Sequence, residues 1–329
     1  MPPTSLKNVA PGHFAEVWPE LPISAWSDTC ATLQLWMQVV GKIRLALTPP
    51  LNHTWNVTLY PTVRGLTTSP MACGNRALQI DFDFLDHTLS LGTNAGERRI
   101  IRLEPMCVSE FYRRVMAEIE GLGLTVRIWP KPVEVASPIP FEQDNVHCSY
   151  DPEYAQRFWR VLLESTRVIT VFRSRFQGKV SPVHLFWGAM DLACTRFSGR
   201  TAPEHKSMQG LPDRVTRDAY SHEVSSCGFW PGMSPQRRGP VAGDPGMPGM
   251  DAMFYSYAYP EPAGYAEYPI GPAGATYSKD FGEFVLPYEA MRQSADPDGA
   301  LLEFLQTTYE AAANLGKWDR GALEVNAHA

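Results

Sequence analysis

The chain of 329 residues lacks the features that mark membrane, secreted and nucleic-acid-binding proteins. It has no apolar run near the roughly 18 residues that span a bilayer, and no basic segment followed by an apolar one at its start. No run of basic residues is longer than two, and the net charge of −6 disfavours nucleic acid and anionic membranes as main partners. We therefore predict a cytoplasmic protein that binds neither nucleic acid nor membrane.

Motifs of the common enzyme classes are absent too. Gly41-Lys42 lacks the upstream glycine and the following Ser or Thr of a phosphate-binding loop, and there is no Gly-x-Ser-x-Gly, His-Glu-x-x-His or dinucleotide fingerprint. The six cysteines form no Cys-x-x-Cys pair, so we predict reduced thiols rather than a disulfide frame. Cofactor, metal and oligomeric state are left open.

What the chain does have is a clear alternation of helical and strand periodicity, with 44% hydrophobic residues to form a sizeable core. Apolar residues at helical spacing predict helices from Ser24 or Ser27 to Val40 and over 108–120, 152–172 and 301–315. Two-residue alternation and strand-forming composition predict strands at 53–62, 78–85, 87–91, 99–103, 184–195, 253–259 and 283–286.

A repeated pattern of residues predicts that the chain contains two related halves. The first copy is Gly41-Lys42, His53, Trp55, Arg64, Glu110 and Gly123, and the second is Gly178-Lys179, His184, Trp187, Arg196, Glu303 and Gly316. We therefore predict an α+β fold of two related helix–antiparallel sheet–helix units arranged about a pseudo-twofold axis.

The predicted units divide the chain as follows: an irregular lead-in at 1–23, a first unit at 24–130, a linker at 131–150 and a second unit at 151–324. The second unit contains a Pro/Gly-rich insertion at 198–250, whose part from 234 onward is the least ordered by composition. This insertion is the main asymmetry between the halves.

A pseudo-twofold axis commonly places a ligand cleft between the halves. Arg64 and Arg196 are then natural forks for a carboxylate or phosphate, because a guanidinium offers two parallel donors, and this predicts a small anionic ligand. The alternative is that each arginine ties a strand end to a neighbouring carboxylate, and that His53 and His184 are satisfied core or edge residues.

A second group of reactive side chains, His222, Glu223 and Cys227, lies close together in the chain. If His184, His222 and either Asp191 or Glu223 converged, they could act as acid and base or hold a divalent metal, although their spacing matches no common metal motif. Cys227 with a histidine is a further nucleophile hypothesis, weighed against an inert buried thiol.

Aromatic residues predict one wall of a binding site. Alternation places Tyr255 and Tyr257 on the same side of a strand, and Trp187 and Trp230 lie in neighbouring segments. Such a wall suits either a small-molecule pocket or a sheet covered by the insertion.

Several long strings in the chain resemble an uncharacterised bacterial family, domain of unknown function 5996. They include Asp28-Thr-Cys-Ala-Thr-Leu, Ile80-Asp-Phe-Asp-Phe, Ser181-Pro-Val-His-Leu-Phe-Trp-Gly, Thr195-Arg-Phe-Ser-Gly-Arg and Tyr220-Ser-His-Glu-Val. The resemblance covers residues from about 16 to 324 and implies a bacterial, cytoplasmic domain. It implies no activity, cofactor or fold.

These observations lead to two hypotheses about function. One is an enzyme that acts on a small anionic metabolite, with His184, His222, Glu223 and Asp191 as its acid, base or metal-binding groups. The alternative is a non-catalytic small-molecule-binding or protein-interaction module, for which the insertion is a candidate docking segment.

Overall fold

The computed structural model describes residues 16–135, 137–205, 212–233 and 250–325. The first half contains α1 (Ile23–Leu47), a 3₁₀ helix (Asn52–Val57), β1 (Tyr60–Pro61), β2 (Gly65–Thr67), β3 (Met71–Cys73), β4 (Arg76–Asp83), β5 (Thr88–Thr93), β6 (Arg98–Arg102) and α2 (Val108–Gly121). Its strands form an antiparallel sheet, the first sheet, in the order β1-β2-β4-β5-β6, with β3 also paired to β4.

The second half follows a 3₁₀ helix at Phe141–Gln143. It contains α3 (Pro152–Arg173), β7 (His184–Phe186), β8 (Asp191–Thr201), α4 (Asp213–Ala219), β9 (His222–Trp230), β10 (Met253–Tyr259), β11 (Thr276–Ser278), β12 (Glu283–Pro287), α5 (Tyr288–Arg292), α6 (Pro297–Leu315) and α7 (Arg320–Leu323). Its strands form the second sheet, antiparallel, in the order β11-β12-β10-β9-β8-β7.

The two long helices of the second half, α3 and α6, both begin with an aspartate N-cap followed by a proline. The side chain of Asp151 accepts hydrogen bonds from backbone N–H groups in the first turn of α3, and Asp296 does so for α6. In both helices the next residue is a proline, which is compatible with the first turn because that position needs no backbone donor. These caps fix where each helix starts against its sheet.

The two faces of the second sheet have different environments. On one face Leu192, Cys194 and Phe229 are buried, and this face packs against α3 and α6. Because side chains alternate along a strand, Asp191 and Ala193 project from the opposite face. That opposite face lines the cavity described in the next subsection.

The two sheets meet at their first strands. The backbone N–H of Leu59 donates to the carbonyl of Leu185 at 2.9 Å, and the N–H of Leu185 donates to the carbonyl of Leu59 at 2.8 Å. This antiparallel bridge places the edge carrying β1 beside the edge carrying β7.

The α+β class with antiparallel sheets is confirmed, as are the strands predicted around β4, β5, β6, β10 and β12. The predicted strand at 53–62 is wrong for its first part, which is the 3₁₀ helix. His53 and Thr54 there have φ values of 57° and 59°, which lie in the left-handed region and are incompatible with a strand.

Two further sequence predictions need correction. Helix α1 does not end at Val40 but continues to Leu47, and Gly41 inside it lets another side chain approach the helix closely. The six cysteines are not all reduced, since Cys107 and Cys148 form a disulfide bond between the start of α2 and the segment before α3.

The predicted insertion at 198–250 is not without regular structure. Strand β9 lies within it and pairs with β8 on one side and β10 on the other, and α4 precedes β9. The prediction of least order from residue 234 falls almost entirely on 234–249, which lie outside the described residues.

Candidate active site

A cavity of about 740 Å³ lies against the open face of the second sheet. Its floor consists of alternate residues of β8, β9, β10 and β12, so a single sheet face supplies most of its base. The rings that line it belong to Trp55, Trp129, Phe186, Trp187, Phe197, Tyr220, Trp230, Tyr255, Tyr257 and Phe281. The wall is therefore mainly aromatic and apolar.

Segments of the first half complete the cavity. Residues of the 3₁₀ helix line one side together with α4, and these two elements are held together by Asp218. One Asp218 carboxylate oxygen accepts the backbone N–H of Thr54 at 2.8 Å, and the Asp218 carbonyl lies 3.1 Å from His53 Nδ1. Because a carbonyl only accepts, Nδ1 carries the proton and Nε2 accepts from the Lys179 ammonium, 2.5 Å away.

Two of the three carboxyl groups that line the cavity, Asp191 and Glu283, lie on the sheet floor; the third is Glu134, and Lys42 and Arg214 are lining cations. Asp191 and Glu283 are the first residues of β8 and β12. Burial raises the pKa of Asp191 to about 6, although a hydrogen bond from Tyr255 opposes this shift. Burial, and then the nearby charge of Asp191, raise the pKa of Glu283 to about 7. In the described part of the chain neither carboxyl has an arginine, lysine or histidine within ion-pair distance.

The Tyr255 hydroxyl reaches Asp191 across an intervening strand. It donates to Asp191 Oδ2 at 2.8 Å, and lies 3.3 Å from the carbonyl of Leu192. Gly228 of β9 lies directly opposite Tyr255, and a Cβ there would be 2.7 Å from the hydroxyl. The absence of a side chain at Gly228 therefore makes room for this hydrogen bond.

The neighbouring tyrosines add a second polar line along the floor. The Tyr220 hydroxyl is 3.4 Å from that of Tyr257, and burial raises the pKa of both phenols. Both side chains therefore stay neutral near pH 7 and offer O–H groups as donors or acceptors.

Lys42 of α1 also lines the cavity, beside Trp187. The Trp187 ring is fixed because its Nε1 donates to the Val57 carbonyl at 2.8 Å and because it packs directly on Gly41. A Cβ at Gly41 would be 2.2 Å from the ring, so the glycine permits this packing. Burial lowers the pKa of Lys42 to about 8.

Five of the residues predicted from the sequence line this cavity: Asp191, Trp187, Trp230, Tyr255 and Tyr257. These five side chains therefore line one space, and their role as a binding site stays a prediction.

His184 and Arg196 lie elsewhere. His184 is fully buried on β7, its Nδ1 is 3.2 Å from the Thr58 hydroxyl, and burial lowers its pKa to about 3. Arg196 is on the helix-facing side of β8, where its guanidinium lies 3.5 Å from the Phe172 ring centroid and 4.3 Å from that of Tyr309. Neither side chain lines the cavity, so the predicted anion fork at Arg196 is instead part of the core.

His222, Glu223 and Arg64 also lie outside the cavity. His222 packs edge-on against His53, with ring centroids 5.7 Å apart, and Glu223 pairs with Arg200 at 2.6 Å. Arg64 is an exposed residue that pairs with Asp83 at 2.5 Å. The alternative reading, in which an arginine binds a neighbouring carboxylate, describes Arg64.

The described residues do not form the metal site or the thiol nucleophile considered from the sequence. Across the described ranges, no group of three His, Cys, Asp or Glu side chains is placed to hold a metal ion. Cys227 lies on the core-facing side of β9, and burial raises the pKa of its thiol, which is the opposite of what a nucleophile requires.

Glu283, Lys42, Glu134 and Arg214 are charged residues of the cavity that the sequence patterns do not predict as site residues. Glu283 starts a predicted strand, and alternation with the apolar Phe284 and Leu286 could have placed it on the face shared with the tyrosines. The sequence marks Lys42 only as part of the repeated Gly-Lys pair, and no local pattern predicts that Trp187 covers α1 at this position.

Comparison with known proteins adds one finding. A family model described as a family of unknown function, DUF5996, matches residues 18–325. No curated protein and no solved structure matches the chain. Over the described residues, no helix combines the length and apolar character needed to cross a bilayer.

Proposed function

The chain belongs to the DUF5996 family, and because the function of that family is unknown we propose one from the cavity itself. It binds a small organic molecule that has an aromatic or otherwise apolar body and a basic nitrogen. The observation that carries this proposal is the pair of carboxyl groups, Asp191 and Glu283, on an aromatic floor and without a basic partner in the described residues.

The size and lining of the cavity suit such a ligand. A volume of about 740 Å³ lies in the range of small-molecule sites, which are mostly apolar with a few placed polar groups. Trp187 and Trp230 would contact the apolar body, and the negative faces of aromatic rings also attract a cation.

The charges that line the cavity favour a basic nitrogen over an anion, because three carboxyl groups line it, Glu134 together with Asp191 and Glu283, against the two cations Lys42 and Arg214. A protonated amine near Asp191 and Glu283 would offset the burial that raises their pKa values and would gain charge-assisted hydrogen bonds. An anion would instead meet the carboxyl groups of the floor. The arginines expected to bind an anion, Arg64 and Arg196, interact with Asp83 and with buried rings.

An acid–base enzyme acting in the same cavity is a second candidate, and one specific observation favours it. The two carboxyl groups differ in environment, since Tyr255 donates to Asp191 but no described residue donates to the side chain of Glu283. Two carboxyls with different environments can divide the roles of base and acid near neutral pH. In this reading Asp191 is the base and Glu283 the acid.

The duplicated architecture is also part of the proposal, with the cavity between the two halves. It is supported by the shared order of long helix, antiparallel strands and helix, and by the β1–β7 bridge. A cytoplasmic location and a bacterial origin stay predictions.

The proposal is tested by titration calorimetry with three compounds that share a benzyl group: dimethylbenzylamine, phenylacetate and benzyl alcohol. We expect the amine to bind about tenfold or more tightly than the other two, and Asp191→Asn or Glu283→Gln to remove that preference. Glu267→Gln makes the same chemical change on an exposed carboxylate and serves as the control. Preferred binding of phenylacetate, or unchanged binding in both cavity variants, would overturn the proposal.

A further inference from the structure

Lys42 and Lys179 are two lysines near the cavity, and they differ in burial and in hydrogen bonding. Lys42 is only 6% exposed, it lines the cavity, and its Nζ lies 6.0 Å from the Trp187 ring centroid. Among residues that the structure describes, its amine has no hydrogen-bond or ion-pair partner. Lys179, by contrast, contacts His53 Nε2 and lies 4.6 Å from the Phe197 ring centroid.

Two polar side chains near Lys42, those of Gln38 and Trp187, form their hydrogen bonds elsewhere. Gln38 lies one turn earlier on α1. Its Nε2 donates to the Val133 carbonyl, and its Oε1 accepts from the Val133 backbone N–H. The indole N–H of Trp187 donates to the Val57 carbonyl and, as a donor only, cannot accept a hydrogen bond from Lys42. A buried lysine without a partner is rare, because the charged form is costly in an apolar environment. The neutral amine is therefore favoured.

We propose that Lys42 is a nucleophilic amine that condenses with an aldehyde or ketone admitted to the cavity. The lone pair of Nζ attacks the carbonyl carbon, a C–N bond forms, and a carbinolamine results. Both protons of the neutral amine then leave with the carbonyl oxygen as water, which breaks the C–O bond and gives an imine. No oxidant or reductant takes part in this step.

The apolar cavity supports this chemistry in two ways. The lowered pKa of about 8 leaves a much larger neutral fraction of Lys42 near pH 7.5 than an ordinary lysine has, by roughly two hundredfold. Aromatic walls at Trp55 and Trp187 also suit the apolar body of a carbonyl compound. The proposal rests on the same cavity as the proposed function, but it does not depend on the carboxyl pair.

Reductive trapping tests the proposal on the wild-type chain. The protein is treated with limiting benzaldehyde and cyanoborohydride near neutral pH, and benzylated lysines are located by peptide mass mapping. We expect Lys42 to be benzylated about tenfold or more rapidly than the exposed Lys131 and Lys279. Labelling of Lys42 no faster than that of these two lysines would overturn the proposal, whether or not any variant folds.

Variants and a competitor separate this inference from the proposed function. Lys42→Met should remove the rapid phase of labelling, whereas the exposed-site control Lys131→Met should keep it. Saturating dimethylbenzylamine, a tertiary amine that forms no imine, should slow labelling of Lys42 if both compounds share the cavity. Amine binding without Lys42 labelling would refute only this inference, and Lys42 labelling without amine binding would refute only the proposed function.

Discussion

The substitution Gly228→Ala tests how the floor of the cavity is built. A Cβ at this position would lie 1.8 Å from the Leu192 carbonyl oxygen and 2.7 Å from the Tyr255 hydroxyl. The hydroxyl can rotate away, but the carbonyl belongs to the paired strand β8 and can move only if β8 and β9 separate. Alanine should therefore strain the sheet and displace Tyr255 from Asp191.

The expected loss of stability has two parts. Overpacking a closely fitted backbone costs about 1–3 kcal/mol. Loss of the Tyr255–Asp191 hydrogen bond costs about 1–3 kcal/mol more, depending on whether the carboxyl is charged. We expect Gly228→Ala to lower the free energy of unfolding by about 2–6 kcal/mol and to weaken amine binding.

Urea denaturation measures this loss, with Gly92→Ala as the matched control. Gly92 lies on β5 of the first sheet, and a Cβ there would have no atom within 4 Å, so alanine should change stability by less than about 1 kcal/mol. Tyr255→Phe removes the hydroxyl alone and should cost less than Gly228→Ala. Equal stability of the Gly228→Ala and Gly92→Ala proteins would refute the reasoning.

Further predictions concern the carboxyl groups on the cavity face of the second sheet and Arg196 on its helix-packed face. The pKa values of Asp191 and Glu283 are raised on folding, so the folded state binds more protons, and stability should fall by roughly 5 kcal/mol as the pH rises from about 4 to 8. Urea denaturation at several pH values should show a flatter dependence in the Asp191→Asn, Glu283→Gln protein; an unchanged slope would contradict the assignment. Arg196→Ala should cost about 3–5 kcal/mol, because the buried guanidinium packs on Phe172, whereas Arg196→Met should cost much less. Since Arg196 faces the helices, Arg196→Met should bind dimethylbenzylamine as the wild type does, and lost binding would restore a ligand role for this arginine.

The side of a strand on which a residue lies could be predicted from the sequence, because side chains alternate along the strand. This alternation placed Tyr255 and Tyr257 on one side of β10, and both line the cavity. The same rule applied to β8 separates Asp191 from Arg196, since an odd number of residues apart means opposite faces. Treating these two as members of one site conflicted with that rule, and the structure places Arg196 in the core.

The remainder of the site depends on which strands are neighbours, and local sequence does not contain that information. Asp191 and Glu283 share one cavity because β8 and β12 belong to the same sheet, with β9 and β10 between them. Gly228 leaves space for Tyr255 to cross β9 and reach Asp191. A glycine in a strand has several possible causes, so it could not be recognised as part of a carboxyl site before the strand order was known. We therefore expect the residue opposite Tyr255 to be as restrictive for ligand binding as either carboxyl group, because a larger side chain there removes the Tyr255 hydrogen bond to Asp191.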